Sequence, residues 1–206
     1  MTERRSIEPG TLWRLVREVS AAALETAALV PIDTTHEVIE DRGAPFVVRV
    51  VGSLARKDRE RRAALVGDRA GQPDNPFLPY DEELYVGHVE PAHVVLLNKF
   101  NVLDWHVLIV TEAFEHQERL LTASDLEALW RCLAEGPALG FYNGGVVAGA
   151  SQLHKHLQLV PLPLLPEAPE LPIEGLLSEA PRQTGRSVSA PRLPFAHRLA
   201  WLEPDL

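Results

Sequence analysis

The sequence predicts an α+β fold: an antiparallel sheet with flanking helices, followed by a proline-rich C-terminal extension. Three observations carry this expectation. Short apolar or alternating runs bounded by turn residues fill the middle of the 206-residue chain, as short antiparallel strands do. Residues 11–29 and 122–136 instead carry apolar side chains at helical spacing. Nine of the 17 prolines lie in residues 161–206, which excludes a central strand or one long helix there.

The elements follow in order. "TLWRLVREVSAAALETAAL" (11–29) reads as an amphipathic helix ending before Pro31. "THEVIED" and "APFVVRVVG" read as strands around a turn at Gly43, a candidate hairpin. "LARKDRERRAALVGDRAGQPDNP" (54–76) is charged, then rich in Gly, Pro and Asp, and reads as a mobile or irregular loop. "ELYVGHV" and "AHVVLLNKF" are strands around a turn containing Pro91, and "WHVLIVT" is the next. "TASDLEALWRCLAEG" has a helix start at Thr122 or Ser124, acids in its first turn, and a stop at Gly136-Pro137. "LGFYNGG" and "QLHKHLQLVP" are two more strands, joined by the glycine-rich "GGVVAGAS". A short helix is expected near "IEGLLSEA". The expected organisation is one domain over residues 1–206, with 161–206 as a proline-rich wrap.

Composition narrows the function classes. With 46% hydrophobic and 24% charged residues, the chain falls among globular domains able to bury a core. A net charge of −9 makes it a poor candidate for wrapping duplex nucleic acid, so no nucleic-acid partner is expected. A local basic pocket for a small phosphorylated ligand stays open. Cys132 is the single cysteine, so no internal disulfide forms, which fits a reducing compartment. It lies in a helical pattern and reads as a buried structural thiol. The N-terminus lacks an apolar leader core, and no run approaches the ~18 apolar residues of a membrane span. A cytoplasmic protein without a membrane partner is the expectation.

The stretch that raises a chemical question is "GASQLHKHLQLVP", residues 149–161. In a strand, alternate side chains share a face, so His154, His156 and Gln158 point one way and Lys155, Leu157 and Leu159 the other. Three readings compete. Two histidines can simply sit on a half-buried polar face. They can be one edge of a metal site, with His88, His93, His106, Glu90 or Asp104 as further ligands, none at diagnostic spacing. Or one imidazole can attack a phosphorus: neutral histidine is available near pH 7 and forms a labile phosphoramidate suited to two-step transfer. The preceding "YNGGVVAGASQ" favours the third. It offers small residues, exposed backbone N–H groups, a hydroxyl and amides, which are neutral donors for phosphate oxygens. A metal site has no need of them.

These words carry a resemblance. "HKHLQ" resembles the H-x-H-x-Q motif of the transferase branch of the histidine-triad superfamily. "NPFLPYDEELYV", "VVLLNKFNVLDWHVLIVT", "FYNGG" and "GASQLHKHLQLVPLP" together look like the diadenosine tetraphosphate phosphorylase, or ATP adenylyltransferase, family. "IEDRGAPFVVRVVGSLARK" and "LPFAHR" agree with it, so the resemblance covers roughly residues 10–200. It implies a histidine-triad-type sheet and phosphorolysis of diadenosine tetraphosphate to ATP and ADP, through a nucleotidyl-histidine. His156 would be the nucleophile, and His154 would support it through its backbone carbonyl. Gln158 would stand where the hydrolase branch has its third histidine. Gly149, Ala150, Ser151 and Gln152 match the family's phosphate-binding loop, and Asn143 a polar residue before it. Asn98 and His106 match a ribose-side asparagine and the histidine opening the next strand. Lys57 matches a lysine reaching the polyphosphate, and Lys99 is a looser match.

The implied partners are a dinucleoside polyphosphate, ATP, ADP and phosphate. No cofactor or protein-bound metal is required, although Mg2+ could accompany the polyphosphate. The sequence leaves the oligomeric state open. In the family the chain runs on past the "LPF-x-H" region into further strands, whereas this one reads "WLEPDL" and stops. Two alternatives are therefore carried: a nucleotide-binding protein with weak or no turnover, and a histidine-triad hydrolase.

Overall fold

The computed structural model describes residues 4–41, 43–52, 75–165 and 171–202. The charged stretch expected as a loop lies almost wholly outside these, and so does Lys57. Contacts divide the chain into two units, Met1–Thr34 with Val51–Leu162, and Thr35–Val50 with Pro163–Leu206.

The first unit is built on a five-stranded antiparallel sheet in the order β3-β4-β5-β7-β6. Its strands are β3 (Tyr85–Val89), β4 (His93–Leu97), β5 (Val107–Thr111), β6 (Ala138–Phe141) and β7 (His156–Pro161). Four of them fall inside a run that the sequence marks as a strand, and β6 begins one residue before its run, at Ala138. The expected α+β class is the observed one. Helix α1 (Leu12–Glu25) precedes the sheet, and α2 (Ala123–Leu133) crosses from β5 to β6. The crossover carries β6 to the edge, so β7 lies between β5 and β6.

Alternation along the strands sorts the core into two layers. Val95, Leu97, Val107, Ile109, Leu157 and Leu159 pack with Leu12, Leu15 and Val16 of α1 and Ala128 and Cys132 of α2. On the other face Val94, Leu96, Leu108 and Val110 pack with Phe77 and Tyr85. Each fully buried aliphatic side chain contributes about 1.5–3 kcal/mol. The Cys132 thiol lies in the helix-covered layer, where burial pushes its pKa up to about 12, as suits an inert structural thiol.

Helix α2 starts where its capping residues predict. The Thr122 hydroxyl accepts from the Asp125 N–H, and the Asp125 carboxylate accepts from the Thr122 N–H at 2.7 Å, a reciprocal capping box. Helix α1 ends earlier than its apolar spacing suggests. Ala27 adopts a positive φ of 59°, and the Leu29 N–H returns to the Ala23 carbonyl at 3.0 Å. The chain must turn here so that Val30 and Ile32 can pair with Lys99 and Asn101. That long-range pairing outweighs local helical spacing.

The second unit holds the hairpin of β1 (Thr34–Asp41) and β2 (Ala44–Val51), apart from its end residues Thr34 and Val51. It also holds the short helix α3 (Glu174–Leu177), within the "IEGLLSEA" stretch, and a two-stranded pairing of β8 (Ser187–Val188) with β9 (Leu199–Ala200). That pairing between prolines was not expected. It fits the proline rule because the strands are short and lie at an edge. Among the described residues no helix is long and apolar enough to cross a membrane.

Candidate active site

The histidine stretch is less regular than its alternation suggests. Strand β7 begins only at His156. His154 lies just before it and makes an isolated bridge with His116. The two imidazoles nevertheless share a face, because the Phe77 ring contacts both, at centroid distances of 5.7 and 5.3 Å. Lys155 goes to the other side, toward Asp125 of α2.

The backbone sets the tautomers. The Nε2 of His154 lies 2.9 Å from the Thr111 carbonyl. A carbonyl only accepts, so Nε2 carries the proton and donates. The His154 Nδ1 then accepts from the Asn75 amide at 3.2 Å. The Nδ1 of His156 lies 2.8 Å from the His154 carbonyl. By the same logic its proton sits on Nδ1, and Nε2 keeps a lone pair. Burial lowers the pKa of both histidines, most directly by penalising the charged form. Both imidazoles are therefore neutral at pH 7, and that of His156 presents a bare nitrogen.

Gln158, two residues on, faces the same way. Its Oε1 lies 3.0 Å from the Nε2 of His106, whose Nδ1 lies 3.2 Å from the Asn98 amide. His106 is buried, and that burial holds its pKa at about 4 despite the opposing bond to Gln158. The structure thus joins Asn98, His106 and Gln158 into one hydrogen-bonded row. Lys99 lies at the end of β4 and points its ammonium at Asp81, 3.6 Å away, outside this row.

The glycine-rich loop opens at Asn143, whose carbonyl accepts from the Gly145 N–H at 2.8 Å. Gly145 and Gly149 have φ of 99° and 93°, conformations that favour glycine. Ala150 is buried and Ser151 exposed, and Gln152 is half-buried. The loop leads directly to His154.

Several residues of this site escaped sequence reasoning. Gln117 is 1% exposed; its amide bonds to the main chain of both His156 and Asn143. Thr111 and Asn75 hold His154, and Phe77 covers the two rings. The word "NPFLPYDEELYV" contains Asn75 and Phe77, but nothing in their spacing marks them. Gln117, in "EAFEHQERL", carries no local signal at all. Among the described residues no three His, Cys, Asp or Glu side chains are gathered as a metal site.

Comparison with known proteins gives the family of the chain. The family described as Ap4A phosphorylase N-terminal domain matches residues 2–179. The chain belongs to this family. Among its relatives, "Protein APA1" of Saccharomyces cerevisiae (strain ATCC 204508 / S288c) is 27% identical over 164 residues, which is 75% of this chain and 50% of the relative. "Diadenosine 5',5'''-P1,P4-tetraphosphate phosphorylase 2" of the same yeast is 38% identical over 104 residues, 44% of this chain and 32% of the relative. A crystal structure of yeast Ap4A phosphorylase Apa2 in complex with AMP superposes with a TM-score of 0.72 at 26% identity, covering 93% of this chain and 63% of that chain. Apa2 in complex with Ap4A gives a TM-score of 0.71, with 93% and 65% covered. The chain therefore spans half or less of the length of these two relatives and under two thirds of the Apa2 chain. Its fold is that of the Ap4A phosphorylases.

Proposed function

We propose that the chain carries out phosphorolysis of diadenosine tetraphosphate by two successive nucleotidyl transfers. The observation that carries this reading is the His156 Nδ1 contact to the His154 carbonyl at 2.8 Å, which leaves the Nε2 lone pair free to attack. In the first transfer Nε2 bonds to the α-phosphorus of one adenylate unit. The bond to the bridging oxygen breaks and ATP leaves. ATP is a good leaving group and needs little protonation, which suits Gln158, an amide that can donate a hydrogen bond but not a proton. In the second transfer an oxygen of inorganic phosphate attacks the same phosphorus. The P–N bond breaks, ADP leaves and the neutral imidazole returns.

The N–H groups of Gly149 and Ala150 close the loop on the Val146 and Gly145 carbonyls, at 3.0 and 3.1 Å. The Ser151 hydroxyl and the Gln152 amide hold the phosphate oxygens. These preorganised neutral donors act where charge develops. Asn143 anchors the loop, and Asn98 and His106 set the direction of the Gln158 amide. Lys57 would add positive charge toward the polyphosphate, whereas Lys99 is turned to Asp81. No step calls for a protein-bound metal, and Mg2+ could accompany the polyphosphate. The binding of AMP and Ap4A by the related Apa2 structures supports the substrate class. The lone buried Cys132 is in keeping with a reducing, cytoplasmic setting.

The test is a product assay with adenine-labelled diadenosine tetraphosphate. Phosphate-dependent ADP and ATP, with label trapped on His156 when phosphate is withheld, is the expected result. AMP and ATP regardless of phosphate would indicate a hydrolase. Nucleotide binding without any labelled protein would indicate a binding function. Full activity in His156→Asn would sink the covalent route.

A further inference from the structure

We propose that Gln117 is a positioning residue, which locks the His156 backbone to the mouth of the glycine-rich loop. The inference rests on His156 being the nucleophile.

Strand β6 pairs with β7 from Ala138 opposite Pro161 to Phe141 opposite Gln158. Continued by two residues, that register would set Asn143 opposite His156. The pairing stops short of this point because β6 turns away into the loop at Asn143. The main chain of His156 thus loses its neighbour on the β6 side, at the residue whose placement matters most. The Gln117 carboxamide fills the gap. Its Oε1 accepts from the His156 N–H at 2.8 Å. Its Nε2 donates to the His156 carbonyl at 3.1 Å and to the Asn143 carbonyl at 2.8 Å. One side chain thereby replaces the missing rung of the ladder.

The direction of this amide is determined by its partners. A flip would set NH2 against an N–H and an oxygen against two carbonyls. Gln117 is itself held firmly. Its N–H donates to the Leu153 carbonyl at 2.8 Å, and its carbonyl accepts from the Tyr142 hydroxyl. On either side in sequence, the Lys155 ammonium reaches Glu115 at 3.3 Å and the Leu120 carbonyl at 3.1 Å. A buried amide with three main-chain partners is costly to leave unsatisfied. Its satisfaction here ties the candidate nucleophile to the loop proposed to hold the phosphorus it attacks. Gln117 touches neither the substrate nor the reacting atoms.

The experiment compares the full chain with Gln117→Met, which keeps the shape and removes all three bonds, and Gln117→Glu, which keeps only the acceptor for the His156 N–H. In Gln117→Met, kcat and the single-turnover rate of His156 labelling should fall about 100-fold, the scale of a displacement near 1 Å. KM for diadenosine tetraphosphate should be unchanged, and Gln117→Glu should lie between the two. Imidazole 15N NMR, which needs no substrate, should show one Nδ1–H tautomer of His156 in the parent chain and a mixture in Gln117→Met. A folded Gln117→Met with parental kcat and a single tautomer overturns the proposal. So does a loss confined to KM and melting temperature, which would mark a merely structural role. If Gln117→Met does not fold, Gln117→Glu is judged by the same two readouts. If the parent chain is never labelled on His156, the nucleophile assignment falls, and the NMR comparison alone decides the lock.

Discussion

The Lys155 ammonium lies 2.5 Å from the Asp125 carboxylate, and both side chains are shut off from water. Alternation puts Lys155 on the helix-covered face of the sheet, among Leu157 and Leu159. A lone ammonium there would be prohibitive. Asp125 meets it from α2, while also accepting from His93 at 3.0 Å and from the Thr122 N–H. One carboxylate thus caps a helix, neutralises a lysine and steadies the strand that carries His156.

Removing one partner of this pair should be severe. Lys155→Met leaves the Asp125 charge buried without its cation, and a loss of about 3–5 kcal/mol is expected. Urea unfolding measures it. Lys155→Met combined with Asp125→Asn should recover part of that loss, because the stranded charge is gone. No recovery would show that packing, not charge, holds the site.

Acid should weaken the fold in two stages. His106 is held at about 4 by burial, below its ordinary value of 6.5. The unfolded chain therefore takes up this proton first, and stability falls as pH drops from about 6.5 to about 4, by on the order of 3 kcal/mol. His154 and His156, also lowered, add to this stage. Burial raises the pKa of Asp125, but its bonds to Lys155 and Thr122 outweigh that and hold it at about 2, against 3.8 ordinarily. Its contribution is present above about 4 and is lost as pH falls toward 2, on the order of 2 kcal/mol. Urea midpoints between pH 7 and pH 3 should show both stages, and His106→Gln should shrink the first.

The start of α1 depends on a residue from the end of α2. The Glu135 carboxylate accepts from the Gly10 N–H at 2.7 Å and the Leu12 N–H at 3.0 Å. Thr11, at the N-cap, gives no side-chain cap of its own. Glu135→Ala should cost about 1 kcal/mol, seen as a melting temperature lower by about 2–4 °C. A Thr11→Ala variant should change stability less, since its hydroxyl only donates to Glu8.

The loop glycines should separate strain from collision. A Cβ at Gly149 would meet nothing closer than 3.8 Å, so Gly149→Ala carries only the cost of its φ of 93°, about 1–2 kcal/mol. Calorimetry should find AMP binding weakened by up to roughly tenfold with the fold intact. A Cβ at Gly145 would also lie 2.7 Å from Cγ of Glu118. Gly145→Ala should therefore be the more damaging of the two.

Much of the sheet was legible because its signals are local. The "HVVLL" and "VLIVT" runs and the helix start at Thr122 depend on neighbours a few residues apart. The boundary of α1 was not legible, since Val30 and Ile32 are drawn away by Lys99 and Asn101. Nor was the start of β7: His154 reads as a strand residue by alternation, but its ring is claimed by Thr111 and Asn75. Lys99, a strand-end lysine by its pattern, pairs with Asp81.

By itself the sequence determined the α+β class, the order of elements as far as α3, the family and the H-x-H-x-Q stretch, because periodicity, caps and motif words are written in consecutive residues. Tertiary structure alone decided which nitrogen of His154 carries the proton, what neutralises Lys155, and that Gln117 bridges His156 and Asn143. Those contacts join residues 26 to 79 positions apart, as with Gln117 and Asn143 or His154 and Asn75. Polar groups bury only when each finds a partner, and the folded sheet, not the chain order, supplies those partners.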